Sequence, residues 1–153
     1  MLRARTALGA LLALSLAGWL ASAARASSPP PVWEDLADVP TIQIRTTAAD
    51  GDPVERTIWL LVLDGQGYIR AGGSSRWDAN IDAHPDVSAQ IDGVWYDLRA
   101  KRIPEGALYD QVMQGMRDKY GLEDMLISPL RALGGAPRIL RLDSRPGIPM
   151  GRP

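Results

Sequence analysis

Six short segments with the patterns of β-strands follow one another in the chain, and this succession constrains the fold more than any other feature. Strands are predicted at residues 41–46, 56–63, 68–71, 87–91, 94–103 and 138–142. Most of them alternate polar and apolar side chains, whereas the second is apolar on both faces, which is typical of a strand in a barrel or between two layers. Asp92-Gly93 is a strong hairpin signal. Short strands joined by tight turns predict a small β-barrel rather than a parallel sheet.

Helical patterns are fewer. One helical turn is predicted within residues 32–39, and a short helix within residues 76–83. Residues 105–120 predict an amphipathic helix, because apolar side chains recur at four-residue spacing: Leu108, Val112, Met116 and Tyr120. Gly121 is expected to end this helix, and a loop is expected from there to residue 137. The predicted fold class is therefore mainly β (α+β): a six-stranded barrel with a short helix and one C-terminal amphipathic helix.

The N-terminus has the pattern of an export signal. Two arginines begin it, an apolar run follows over residues 7–21, and Ala24-Arg25-Ala26 closes it. The run is interrupted by glycine and serine and is shorter than the roughly 20 apolar residues of a membrane-spanning helix. Residues 1–26 are thus predicted to be a signal peptide cleaved after Ala26, which places the protein in the periplasm or outside the cell without a stable membrane anchor. The alternative is an uncleaved N-terminal anchor.

Composition limits the function further. The whole chain has a net charge of −1, and the signal contains three arginines and no acid, so the mature chain is more acidic, which argues against general nucleic-acid binding. No cysteine is present, so neither a disulfide nor a lipoprotein anchor can form. The predicted organisation is a Pro-rich linker with a helical turn at residues 27–39, one domain at residues 40–143, and a flexible tail at residues 144–153.

Few residues have the pattern of a catalytic or metal site. His84, the only histidine, precedes a proline and is interpreted as the end of a helix, and no carboxylate cluster has the spacing of a metal site. Asp78 and Asp82 are four residues apart and are interpreted as a solvated helix face rather than a catalytic pair. Ser74 and Ser75 lack an accompanying base, which argues against a hydrolase. No metal site is predicted, and a catalytic residue remains unassigned.

Two features have both a binding and a structural interpretation. Gly72-Gly73-Ser74-Ser75-Arg76 has the composition of an anion cradle, but a turn with Ser75 as the cap of a helix would look the same. Trp59 and Trp77 either border a planar ligand or fill the core of a domain that has no phenylalanine. A stripe on the predicted amphipathic helix (Tyr109, Met113 and Met116) is interpreted as core, with a dimer face as the alternative.

Taken together, the order of elements resembles the flavin-reductase-like split β-barrel superfamily, in its pyridoxamine-phosphate-oxidase-like and deazaflavin-dependent nitroreductase branch. The resemblance covers residues 41–142. Four successive features carry it: a Thr-Thr strand end with a glycine turn, an apolar strand, Gly-Ser-Ser-Arg-Trp before a short helix, and His-Pro-Asp-Val before a strand. The branch has a Trp-x-x-Asn-x-x-x-x-Pro-x-Val phrase and then a Gly-x-x-Tyr strand, matched here by Trp77, Asn80, Pro85, Val87, Gly93 and Tyr96.

The resemblance implies a split barrel that binds FMN or a deazaflavin and acts as a nitroreductase-like oxidoreductase, and it implies a homodimer. The residues it assigns to the cofactor phosphate are Arg56, Arg70, Ser74, Ser75 and Arg76, and those it assigns to the ring system are Thr57, Trp59 and Trp77. The alternative is a non-catalytic ligand-binding or accessory domain on the same barrel, without a cofactor.

Two departures from the branch affect the choice of ligand. Asp50 and Asp52 lie in a turn that is basic in the deazaflavin enzymes, so a ligand shorter than the long deazaflavin is favoured. Arg3 and Arg5 are separated by Ala4, so the twin-arginine pair that exports folded, loaded proteins is missing. A chain exported unfolded must acquire its ligand outside the cytoplasm, which favours the alternative without a cofactor.

Overall fold

A computed structural model describes residues 29–72, 75, 77–132 and 136–145, with the backbone alone for residues 122–132. The elements, in chain order, are a 3₁₀ turn (Trp33–Leu36), β1 (Thr41–Thr47), β2 (Pro53–Leu63), β3 (Gln66–Ala71), α1 (Ala79–Ala83), β4 (Asp86–Ile91), β5 (Val94–Arg102), α2 (Ala107–Ala132) and β6 (Arg138–Ser144). All six predicted strands are therefore present.

The strands close into an antiparallel barrel with the order β1-β2-β3-β6-β5-β4, and β4 returns to pair with β1. The predicted six-stranded, mainly β barrel is confirmed. Two of its hairpins turn on Asp-Gly pairs, Asp64-Gly65 and Asp92-Gly93, in which both residues have positive φ. This backbone matches the right-handed twist of the flanking strands, and it explains why β3 begins at Gln66, two residues before the predicted strand.

Apolar side chains form two clusters, one inside the barrel and one between the barrel and α2. Leu60 and Ile69 belong to the interior, whereas Leu61 packs outward against Val112 and Met116 of α2. Each of these aliphatic side chains is almost fully buried, and burial stabilises the fold by about 1.5–3 kcal/mol for each. The predicted burial of β2 on both faces is confirmed for Leu60 and Leu61, which belong to different clusters, whereas residues 55–57 of the strand are exposed.

The predicted loop after Gly121 is wrong in its first part. Gly121 has φ 45° and ψ −116°, which are not helical angles, but the chain resumes a helix beyond it and continues to the end of α2. A residue without a Cβ adopts positive φ at little cost, so the chain changes direction at Gly121 without leaving the helical conformation for long. The predicted helix end is therefore a kink between two helical segments.

Part of the predicted linker belongs to the domain. Trp33 and Leu36 in the 3₁₀ turn are 6% and 8% exposed and pack into the barrel interior. At the other end, β6 includes Ser144, one residue beyond the predicted domain, and Arg145 forms ion pairs with two aspartates. The predicted signal peptide and the rest of the predicted tail lie outside the described residues. Within the described segments, no helix has the length and apolar character required to cross a membrane.

Candidate functional site

A cleft opens beside the part of β2 that does not pair with β3. Residues 53–59 of β2 pair with β1, but only residues 60–63 pair with β3. The edge of β2 that faces β3 is therefore not paired with β3 over residues 53–59, and a cleft of about 270 Å³ lies beside residues 57–59. Its lining residues come from β2, from the end of β3 and from the segment after β3: Thr57, Ile58, Trp59, Arg70, Gly72, Ser75 and Trp77.

Most of the described residues that the resemblance assigns to a cofactor meet in this cleft. Thr57, Trp59, Arg70, Ser75 and Trp77 are among its lining residues. Ile58 also lines the cleft and was not singled out from the sequence, whereas Gly72 belongs to the segment interpreted there as a possible anion cradle.

Arg56 does not line the cleft. It is exposed on β2, and its Nη1 donates a hydrogen bond of 2.8 Å to the carbonyl of Glu55. Ser74 and Arg76 lie outside the described residues. Their assignments, like that of Arg56, remain predictions from the sequence.

Trp59 is held in a fixed orientation by α2. Its ring stacks on Tyr120 with the centroids 4.4 Å apart and the planes 5° from parallel. The Tyr120 hydroxyl oxygen lies 2.6 and 2.5 Å from the carbonyl oxygens of Pro40 and Leu60, which share its one proton, and this contact anchors the stack to the barrel. One face of the Trp59 ring is thus covered by Tyr120. In the sequence, Tyr120 is recognisable only as part of an apolar helical stripe, and that pattern does not indicate this role.

Arg70 brings positive charge to the same region. Its guanidinium carbon lies 5.4 Å from the centre of the Trp59 ring, a cation–π distance. Burial raises the pKa of the Tyr109 hydroxyl above its ordinary value of 10.0, and the nearby charge of Arg70 acts in the opposite direction. The Tyr109 hydroxyl donates to the Pro137 carbonyl at 2.8 Å. Arg70 therefore lies beside the Trp59 indole, on the half-buried wall of the cleft.

The segment that follows β3 differs from its predicted form. Asp78 is fully buried and ion-paired with two arginines, so the prediction of a solvated face is wrong for Asp78, while Asp82 has a side chain 60% exposed. α1 begins at Ala79 with Asp78 as its N-cap, and the Asp78 carboxylate makes no capping bond. Ser75 is thus not a helix cap. The capping interpretation of the serine-rich segment is wrong.

A second cleft, of about 260 Å³, lies at the other end of β1 and β4. Its two arginines already have carboxylate partners, since Arg45 pairs with Glu55 at 2.6 Å and Arg145 pairs with Asp86 at 3.2 Å. An anion would have to displace these carboxylates. The cleft beside Trp59 is the stronger candidate for a ligand because most of the described residues that the resemblance assigns to a cofactor line it.

Comparison with known proteins supports the fold. No model of a protein family matches the sequence, and no curated protein matches it. Solved structures do. The heme storage protein HutZ from Vibrio cholerae superposes with a TM-score of 0.58 at 18% identity, over 76% of this chain and 87% of HutZ.

Two further structures have the same architecture. An F420-H2-dependent reductase, FDR-A, gives a TM-score of 0.54 at 18% identity, over 68% of this chain and 94% of its own. A FAD-binding protein from Mesorhizobium loti gives 0.52 at 15% identity, over 75% and 88% of the two chains. The chain has a split β-barrel fold. The sequence resemblance is confirmed for the fold, and these similarities show nothing finer.

The residues of the split barrel's cleft fit part of a flavin. Ligand pockets typically measure about 300–1,000 Å³, so this cleft accommodates a ring or a phosphate rather than a whole dinucleotide. Two indoles border it, Arg70 supplies a guanidinium, and Thr57 and Ser75 supply hydroxyls. Among the described residues, no group of three or more histidine, aspartate or glutamate side chains is placed to hold a metal ion. His84 is exposed and does not line the cleft.

Proposed function

We propose that this split barrel is a flavin- or deazaflavin-dependent oxidoreductase of the nitroreductase type that acts outside the cytoplasm. One observation carries the proposal: the cleft beside β2 combines two indoles, a guanidinium and two hydroxyls in one half-buried space. The similarity to an F420-H2-dependent reductase and to a FAD-binding protein supports it. A tightly packed core would not place this set of polar and aromatic groups around an opening.

Each cleft residue has a binding role in this proposal. Arg70 and Ser75 hold an anionic or carbonyl group of the cofactor, because guanidinium and hydroxyl donors form strong hydrogen bonds to charged oxygens. Trp59, which is fixed by Tyr120, and Trp77 border the ring and exclude water from it. The cofactor, when bound, supplies hydride transfer to a small organic substrate. The protein supplies orientation, and no side chain is required as a proton donor.

Binding is tested on the mature chain, residues 27–153. Absorbance between roughly 350 and 450 nm shows whether a chromophore is bound as purified, and titrations with FMN, FAD and a deazaflavin measure affinity. We expect saturable binding of at least one of them at micromolar concentration. Arg70→Ala is expected to weaken it by about 10- to 100-fold, because a hydrogen bond to a charged group contributes about 1.5–3 kcal/mol.

Two matched variants sharpen this test. Arg117→Ala removes the same charge from an exposed position on α2, where Arg117 bonds only to Gln114 among the contacts seen, and should leave binding unchanged. Arg56→Ala examines the assignment made from the sequence, and from its place outside the cleft a small effect is expected. If Arg56→Ala weakens binding as much as Arg70→Ala does, the phosphate site is not this cleft. If none of the three cofactors binds, the proposal is wrong.

A second candidate is a non-catalytic binding domain. It is favoured by the small volume of the cleft and by the similarity to HutZ, which is described as a heme storage protein. Electron transfer separates the two candidates. Under anaerobic conditions, the flavin-loaded oxidoreductase should be reduced by NADH or NADPH and reoxidised by a nitroaromatic compound, whereas a binding domain would hold its ligand without turnover. A hemin titration followed in the visible spectrum tests the heme alternative directly.

Export is the remaining part of the proposed function. The predicted signal, residues 1–26, should carry a reporter enzyme that is active only outside the cytoplasm across the membrane. Mass spectrometry of the exported protein should show Ser27 as its first residue. Retention of residues 1–26 would instead support the uncleaved anchor.

Assembly as a homodimer also remains a proposal. Light scattering on the purified mature chain distinguishes a monomer from a dimer by mass. A monomer at all accessible concentrations would contradict the homodimer that the family resemblance implies.

A further inference from the structure

A buried carboxylate joins the cleft segment to β5 and β6. The Asp78 side chain has no exposed surface and lies between two arginines. Arg102 of β5 approaches it with Nη1 at 3.2 Å from Oδ2, and Arg138 of β6 with Nη2 at 2.7 Å from Oδ1. A carboxylate removed from water is tolerated only where such partners surround it.

The two arginines differ in what else they hold. Arg102 donates to the Asp82 carboxylate from Nε and Nη2 at 2.6 and 2.9 Å, and to the Asp78 carbonyl at 3.2 Å. All these bonds are on the α1 side. Arg138 Nη2 instead donates to the backbone carbonyls of Gly72 and Ser75, at 3.3 Å each. Gly72 and Ser75 line the cleft, so Arg138 alone of the two is bonded to its wall.

We propose that Arg138 is a positioning residue that fixes Gly72 and Ser75 in the cleft wall. The inference rests on the proposed function, because it assumes that a ligand occupies this cleft. The Ser75 amide donates to the Gly72 carbonyl at 3.0 Å, so the two residues are also bonded to each other. Arg138 bonds to both residues and to the buried Asp78, which ties Gly72 and Ser75 to β6 and prepares the wall before a ligand arrives.

Substitution of each arginine by lysine tests the proposal. The two side chains are similarly exposed, at 31% for Arg102 and 36% for Arg138, so the variants are matched in burial and in charge. Lysine keeps the positive charge near Asp78 but has one nitrogen in place of a guanidinium, of which Nε and Nη2 both approach the Asp78 carboxylate while Nη2 also bonds to the two carbonyls. Both variants should lose some thermal stability. Only Arg138→Lys should change the cleft.

Two measurements are made on both variants. The Kd for FMN should rise about tenfold in Arg138→Lys, because Gly72 and Ser75 would then have to be ordered when the ligand binds. It should stay at the wild-type value in Arg102→Lys. Amide hydrogen exchange at Ser75, measured without any ligand, should accelerate in Arg138→Lys and remain unchanged in Arg102→Lys. If Arg138→Lys does not fold, Arg138→Gln, which is neutral and of similar size, is measured in the same way.

The outcomes separate this inference from the proposed function. Unchanged exchange at Ser75 in the Arg138 variants, or equal loss of FMN affinity in both arginine variants, would overturn the positioning role. If wild-type protein binds no FMN, FAD or deazaflavin, the proposed function fails. Faster Ser75 exchange confined to the Arg138 variants would still support the positioning of the cleft wall in that case.

Discussion

Gly67 lies against the indole of Trp33, and Gly67→Ala is expected to displace that ring. A Cβ placed on Gly67 would lie 2.5 Å from Cη2 and 2.7 Å from Cε3 of Trp33, and nearer still to Cζ3. Carbon atoms in contact are ordinarily about 3.5–4.0 Å apart, so the overlap is about 1 Å. The ring must move, because the other partner is strand backbone.

The cost follows from what the ring covers. Trp33 is 6% exposed and packs into the barrel interior. Complete expulsion would expose about 150–250 Å² and cost about 4–6 kcal/mol, which is the upper limit. Cores that receive an additional methyl group usually relax at a cost of about 1–3 kcal/mol, and we expect Gly67→Ala to fall in that range.

Urea unfolding of the mature chain, followed by circular dichroism, measures the change. Gly115→Ala is the matched control, because its Cβ meets the end of the flexible Leu61 side chain at 2.8 Å and alanine is favoured in a helix by about 1 kcal/mol. Its free energy of unfolding should stay within about 1 kcal/mol of the wild type. In a Trp33→Leu background, Gly67→Ala should become nearly neutral, since leucine leaves room for the methyl group.

Two results would refute this reasoning. One is a Gly67→Ala protein whose free energy of unfolding equals that of the wild type within about 0.5 kcal/mol. The other is the same loss with Trp33 and with Leu at that position, because contacting residues should be coupled by about 0.5–3 kcal/mol.

Three further predictions concern polar groups. Burial lowers the pKa of Lys119 below 10.5, so at pH values between that lowered pKa and 10.5 the unfolded chain binds more protons than the folded chain. In this pH range the free energy of unfolding should rise with pH relative to that of Lys119→Met, and urea titrations at several pH values measure it. Although burial alone raises the pKa of Asp143, hydrogen bonds from Arg141 and Lys101 hold it below 3.8. Asp143→Asn should therefore be less stable at neutral pH and lose less stability as the pH falls below about 4, an expectation that parallel acid titrations check. Tyr120→Phe removes the hydroxyl that bonds to two backbone carbonyls but keeps the stacked ring; calorimetry should show a loss of about 0.5–1.5 kcal/mol, and an unchanged melting temperature would contradict it.

Much of the fold followed from local patterns in the sequence. The alternation in β4 and β5, the two-sided apolar character of β2 and the Asp92-Gly93 turn are each determined by neighbouring residues, so each was predictable. Gly121 was interpreted as a helix end because a glycine at that place ends many helices. Whether a helix resumes after a glycine depends on what the following turns pack against, and the residues adjacent in sequence do not determine that packing.

The candidate site was predictable only in part, for a similar reason. Thr57, Trp59 and Trp77 were assigned by position within a resembling family, and the cleft does contain them. The burial of Asp78 was missed because its partners, Arg102 and Arg138, are 24 and 60 residues away in the chain. A helical spacing of four from Asp82 suggested a shared face, but Asp78 lies before the first turn of α1. Long-range ion pairs leave no periodic signal.

The incomplete pairing of β2 with β3 has a consequence for the evolution of such a protein. The cleft beside Thr57 lies where β2 does not pair with β3. The barrel interior, by contrast, is filled by Leu60, Ile69 and their neighbours. Mutations beside this unpaired edge can therefore change ligand specificity without disturbing the barrel core. Selection for a new ligand then carries little of the usual loss of stability. Proteins that share this arrangement could therefore exchange one bound ligand for another in the course of evolution.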